Sequence, residues 1–190
     1  MKAPFLRNCM ILMAASLAGC STVGGGERAG GIEVARFHLG GPVARAQIAI
    51  EPFDRADSNR PEFPAYAAAL ERQLTRLGWT VVRTVGQSEQ VALIDVTQGS
   101  REAIAAQTSA RVGRGLAAGA ASGTSAGIVA TLLEVGIKRR SDGTVFWEGR
   151  AVDEARTGTP QAVPAAAVER LAAALFRDFP GESGRTIRVK

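Results

Sequence analysis

The spacing of apolar residues changes several times along the chain, and each change marks an element. Ile32 to Leu39 reads as a strand that Gly40-Gly41-Pro42 ends. Ala46 to Glu51 then places Ile48 and Ile50 on one face, the period-two pattern of a half-buried strand. From Pro64 to Leu77 the period lengthens: Tyr66, Leu70, Leu74 and Leu77 form one stripe, with Glu71, Arg72, Gln73 and Arg76 opposite it. Pro64 suits the first turn of this helix and Gly78 suits its stop. Thr80 to Val85 predicts a short strand, with Trp79 just before it as a core or rim anchor. Val91 to Gln98 is almost continuously apolar and predicts a central strand covered on both faces.

Alternation resumes at Thr131, Leu133, Val135 and Ile137. Ser141-Asp142-Gly143 then predicts a hairpin, because Asp-Gly supports the positive φ angles of a type I′ turn. The returning strand carries Val145, Trp147 and Gly149 on one face and Phe146, Glu148 and Arg150 on the other, which makes Trp147 a core residue rather than a ligand platform. Pro164 to Phe179 reads as a second amphipathic helix, with Val168, Leu171, Leu175 and Phe179 inward and Pro180-Gly181 as its stop. The order is ββαββ, a Gly-rich insertion over 111–127, then ββα. Two helices with one apolar stripe each cover one face of a mostly antiparallel sheet, so the expected fold class is α+β, a two-layer sandwich. This single domain spans 32–181, and 182–190 forms a basic tail.

The first residues follow another logic. Lys2 and Arg7 precede an apolar run from Cys9 to Ala18, too short to span a bilayer, and Leu17-Ala18-Gly19-Cys20 follows. Residues 1–19 have the form of a secretory signal, and the last four resemble the bacterial lipobox. In that motif small residues fit a peptidase pocket, and the cysteine thiol takes a diacylglycerol group before becoming the new N-terminus. Cys20 is therefore the expected lipidation site, carrying palmitate-like acyl chains that hold the protein to a membrane. Ser21, where an Asp resembles an inner-membrane retention signal, favours the periplasmic face of the outer membrane. Ser21 to Gly31, rich in Gly, Ser and Thr, completes a flexible lipidated tether over 20–31.

Charge and cysteine count then narrow the function classes. The 190 residues carry a net charge of +5, and without Lys2 and Arg7 the mature chain has 21 basic and 18 acidic side chains, or +3. That excess argues against nucleic-acid binding, which shows a basic stripe or patch. Cys9 leaves with the signal and Cys20 is consumed by lipid, so cysteine catalysis, disulfides and zinc–thiolate sites are excluded by count.

Within the domain, Ile137-Lys138-Arg139-Arg140-Ser141-Asp142-Gly143-Thr144-Val145-Phe146-Trp147-Glu148-Gly149-Arg150-Ala151 resembles the G-x-x-(V/I)-W-x-G-x-A hairpin of a family of bacterial lipoproteins, domain-of-unknown-function family 4136. Leu175-Phe176-Arg177-Asp178-Phe179-Pro180 is similar to that family's closing helix and its Phe-Pro. Leu77-Gly78-Trp79 and the strand through Val91 to Val96 also fit, although the family's usual Tyr or Phe is Trp79 here. The resemblance covers roughly 32–181. It implies the fold and the envelope address; the family has no established activity to carry over.

Candidate chemistry is sparse. His38 is the sole histidine and lacks a nearby nucleophile elbow, so it reads as a strand or strand-end residue. Asp54, Asp57 and Glu62 gather before the first helix. Such carboxylates act on glycosides or hold hard cations, but in polar loops they more often form turns and caps. Asp95 interrupts an apolar strand, either as a perturbed acid or as an arginine's partner. Gly115 to Leu133 carries no charge over 19 residues, with glycines four apart. That spacing fits a small-xxx-small membrane or self-association helix, yet its composition favours a loop or hairpin tip. Lys138-Arg139-Arg140 gives a solvated hairpin end or a contact for anionic lipid or lipopolysaccharide.

The expectation is thus a lipid-anchored, non-catalytic binding or assembly module without cofactor or metal. Its partners are the membrane through Cys20 and an envelope protein or anionic envelope polymer. The alternatives are an envelope hydrolase using Asp54 and Asp57, and a protein acting on membranes through its Gly-rich segment.

Overall fold

The computed structural model describes residues 31–84, 86–112 and 127–190. The expected signal over 1–19, the expected tether from Cys20 as far as residue 30, and most of the glycine-rich stretch lie outside the described residues. Seven strands form one open sheet: β1 (Ile32–His38), β2 (Gln47–Pro52), β3 (Thr80–Val82), β4 (Gln90–Gly99), β5 (Ile128–Arg139), β6 (Val145–Arg156) and β7 (Thr186–Val189). Their spatial order is β3-β2-β4-β5-β6-β1-β7. Strands β1, β4, β5, β6 and β7 pair antiparallel, whereas β2 runs parallel to both β3 and β4. The molecule is α+β and mostly antiparallel, with α1 (Phe63–Arg76) and α3 (Pro164–Leu175) together on one face of the sheet.

The apolar stripes of these helices account for that layer. Leu70 and Leu74 of α1, with Val168, Leu171 and Leu175 of α3, are fully buried. Each such side chain contributes about 2 kcal/mol by leaving water. Beneath them the inward positions of successive strands meet in register: Ile94 opposite Val135, Val135 opposite Gly149, Ile137 opposite Trp147. Trp147 is fully buried, stacked on Phe176 at 5.0 Å, and donates its indole N–H to the Pro180 carbonyl at 3.0 Å. Gly149 makes room for it, since a Cβ there would stand 2.5 Å from Trp147 Cη2 and 2.8 Å from Leu175 Cδ1. Trp79 is likewise core and lies edge-on to Phe179, which follows α3.

Five details differ from the sequence reading. A third helix, α2 (Arg101–Val112), precedes and enters the glycine-rich stretch and lies on the opposite face. Ser100 caps it by accepting the Ala103 N–H at 3.1 Å, but among residues 101–109 Ile104 alone is a buried apolar residue, too few for a visible stripe. The segment read as a basic tail contains β7, whose Ile187 and Val189 pack on the core. The 139–144 hairpin forms without a type I′ turn: Gly143 alone has positive φ (71°), and Asp142 accepts the Thr144 N–H at 2.9 Å. Val145 does not share the buried environment of Trp147, because a register shift between Ile137 and Lys138 leaves it exposed. Finally, α3 ends at Leu175 rather than Phe179, for a reason that lies on β1.

That reason is Arg36. Its buried guanidinium donates to the carbonyls of Leu175 (2.8 Å), Ala174 (2.9 Å) and Arg177 (2.9 Å), the groups a helix end leaves unpaired. Asp178 then takes a left-handed conformation (φ 54°) and turns the chain toward a cis Phe179-Pro180 bond.

Candidate functional site

The register also defines the sheet face that α1 and α3 leave uncovered. Across it runs a row of Asp95, Glu134, Arg150, Ala35 and Thr186. The neighbouring rows hold Thr97, Leu132, Val152 and Glu33 on one side, and Leu93, Gly136, Glu148 and Phe37 on the other. Helix α2 covers one corner by placing Ile104 against Ala130, Leu132 and Val152. Between α2 and β1 this leaves a groove of about 380 Å³.

Apolar side chains supply much of its lining. Ile104 and Leu132 lie at the bottom, almost buried, while Ala35 and Val152 are half-exposed and Phe37 is 44% exposed. The hydroxyls of Thr108 and Thr186 also line it, although Thr108 Oγ1 already donates to the Ile104 carbonyl at 2.9 Å.

Charged groups in the groove are engaged with one another. Arg150 donates from Nη2 to Glu148 Oε1 at 2.7 Å. Its Nε lies 2.9 Å from Glu134 Oε1 and is buried, an ion pair at an angle that makes no hydrogen bond. At the other end, Glu33 accepts from Arg101 and, at 2.6 Å, from Arg188, while Arg101 also lies 3.6 Å from Glu154. Burial raises the Glu33 carboxyl, but the hydrogen bonds and charges of Arg188 and Arg101 outweigh it and hold it below its ordinary value. Glu33 thus joins β1, β7 and α2. The arrangement suits retention of a partly apolar ligand, and the residues lining the groove include no nucleophile paired with a base.

Residues singled out from sequence go elsewhere. Asp54 accepts the Ala56 N–H at 2.9 Å and caps a 3₁₀ turn at Arg55–Asn59, while Asp57 pairs with Arg60 at 2.9 Å. Glu62 precedes α1 without a side-chain capping bond. Asp57, Asp95 and Tyr66 are among the residues lining one hollow, but its roughly 20 Å³ is room for a single water. Burial, with Glu62 beside it, pushes the Tyr66 phenol up. His38 bridges two turns: Nδ1 accepts the Gly40 N–H and Nε2 donates to the Gly181 carbonyl, both at 3.1 Å. Arg139 pairs with Asp142, and Arg140 with Glu51 and the Ser88 carbonyl, so the hairpin cations are largely committed. Among the described residues no group of three His, Cys, Asp or Glu side chains could hold a metal ion, and no helix is long and apolar enough to cross a membrane. Cys20, the expected lipidation site, and the glycines at 115, 119 and 123 lie outside the described residues.

Sequence reasoning missed the groove residues Ala35, Phe37, Ile104 and Arg150. One signal was available. Strand β1 inverts the usual alternation at its centre, turning Arg36 toward the helices and Phe37 to the open face.

Comparison with known proteins adds the following. No family model matches the chain. It resembles a PDZ domain protein from Parabacteroides distasonis with a TM-score of 0.50 and 12% identity, over 84% of this chain and 39% of that larger one, a likeness of fold alone. A protein from Caulobacter crescentus assigned as a lipoprotein shares a looser outline, with a TM-score of 0.32 and 16% identity over 69% of this chain and 82% of that one. In sequence, the chain is 31% identical to "Uncharacterized protein ZMO1243" of Zymomonas mobilis, over 84% of its own length and 80% of the relative's. At that identity and coverage, the chain belongs to the family of the Zymomonas mobilis protein.

Proposed function

We propose that this protein is a cell-envelope lipoprotein, anchored through lipid on Cys20, that serves as a non-catalytic binding or assembly module. Its working surface is the groove between α2 and β1. The lipobox, the tether and the resemblance to a lipoprotein family support the anchor, and Ser21 supports the periplasmic face of the outer membrane. One observation carries the binding reading: the groove combines an apolar floor with charged side chains already held in ion pairs. Such a lining favours capture of apolar surface over bond-making chemistry.

The hydrolase alternative draws on Asp54 and Asp57, but Asp54 caps the turn at Arg55–Asn59, and Asp57 pairs with Arg60 beside a hollow whose water-sized volume speaks against a sugar substrate.

Two comparisons test the proposal. Wild-type cells should incorporate labelled palmitate and retain the protein in the membrane fraction, and Cys20→Ser should do neither; a labelled or membrane-bound Cys20→Ser protein would sink the anchor. Chemical crosslinking in cells should give adducts that Ala105→Trp, on the groove wall, removes, and that Asp54→Asn with Asp57→Asn leaves intact. The reverse pattern would favour the acidic loop.

A further inference from the structure

We infer that the groove between α2 and β1 holds a single acyl chain of an envelope lipid. This rests on the proposed membrane anchor and goes beyond it by naming a ligand class. The first argument is the lining. Ala35 and Phe37 of β1, Leu132 of β5 and Val152 of β6 supply apolar lining, and Ile104 of α2 packs on Leu132 and Val152. At about 380 Å³ it falls at the small end of ligand-binding sites.

The second argument is charge. Arg101, Arg150 and Arg188 all have carboxylate partners in place: Glu33 and Glu154, Glu134 and Glu148, and Glu33. The rim therefore offers little selection by head-group charge, and recognition falls to the apolar floor. A lipid chain, whose head can remain at the rim in solvent, fits that division.

The third argument is where the tether meets the domain. Gly31, the first described residue, packs against Arg188 and Val189, two residues ahead of Glu33 in the groove. Ten residues separate Cys20 from Gly31. At about 3.5 Å each they span at most about 35 Å. A domain anchored through lipid on Cys20 is thereby held with the groove-forming strand no farther than that from the bilayer surface.

The test uses the full-length, lipidated protein in living cells. A photoreactive benzoylphenylalanine is placed at Ala105, on the exposed wall of α2, and as a control at Arg83, beside the opposite sheet edge. Irradiated protein is purified and its adducts are identified by mass spectrometry. We expect a lipid-mass adduct at 105, little at 83, and about tenfold less at 105 when Ala35→Leu fills the floor. Lipid adducts equal at both positions, or insensitive to Ala35→Leu, would reduce the result to membrane proximity and overturn the inference. A protein adduct at 105 would overturn it while leaving the binding-module proposal standing, and no adduct at 105 would also overturn it. A thermal melt of Ala35→Leu within a few degrees of wild type excludes misfolding as the cause of a lost adduct. Wild-type protein recovered in the soluble fraction would instead remove the anchor on which the inference rests.

Discussion

Arg36 occupies a strand position whose neighbour, Val34, is fully buried, and it is itself 3% exposed. Desolvation lowers the pKa of its guanidinium and the nearby Asp178 opposes that shift. Replacing it with Met would keep the volume but remove the side-chain donor shared by the Leu175, Ala174 and Arg177 carbonyls, with a loss of about 2–3 kcal/mol in urea denaturation. Gly181→Ala should cost a comparable amount, because residue 181 has φ +79° and a Cβ would stand 2.5 Å from Arg36 Cδ. Glu33 supplies the pH dependence. Its folded-state pKa is depressed, so its contribution is present above the unfolded carboxylate value and disappears as pH falls through the lower folded one. Stability measured from pH 6 down to about pH 3 should therefore fall less steeply in Glu33→Gln than in wild type. Identical slopes would mean that Glu33 contributes no linkage. From sequence Trp147 is legible as core, because tryptophan in an alternating strand beside glycine has one economical place to go. Arg36 is not, because its partners are carbonyls more than a hundred residues away.

At the scale of elements, legibility follows the number of apolar side chains an element commits to the core. α1 and α3 each bury several residues on one stripe, and both follow from periodicity. α2 buries Ile104 and otherwise docks through polar contacts: Arg101 to Glu33, and Gln107 Nε2 to Thr97 Oγ1 at 3.3 Å. Exposed pairs of this kind contribute less than about 1 kcal/mol each. Native-state hydrogen exchange should therefore find α2 the least protected of the three helices, with Ile104→Ala accelerating its exchange and leaving α1 and α3 nearly unchanged. Equal protection across all three would show that α2 shares the main core's stability. β7 is illegible for a related reason. It is four residues long, flanked by Arg185 and Lys190, and gains its place only because β1 presents an unpaired edge.

The whole molecule is a sheet with two unlike faces. One carries α1, α3 and the aromatic cluster of Trp79, Trp147, Phe176 and Phe179. The other carries α2 at one corner and a field of paired charges and small apolar residues, with Phe37 and Phe53 both exposed. Class and layering of the first face are readable from hydrophobic period, whereas the spatial strand order and the groove on the second face depend on how distant strands and α2 come together. The proposed address, by contrast, is argued wholly from the first twenty-one residues. The most direct test of this account is hydrogen–deuterium exchange of the protein in native envelope vesicles against the same protein extracted into mild detergent and delipidated. Protection in vesicles should concentrate at Ala35–Phe37 and along α2 from Ile104 to Ser109. Unchanged exchange there, with new protection at the Asp54–Phe63 loop instead, would contradict a working surface between α2 and β1.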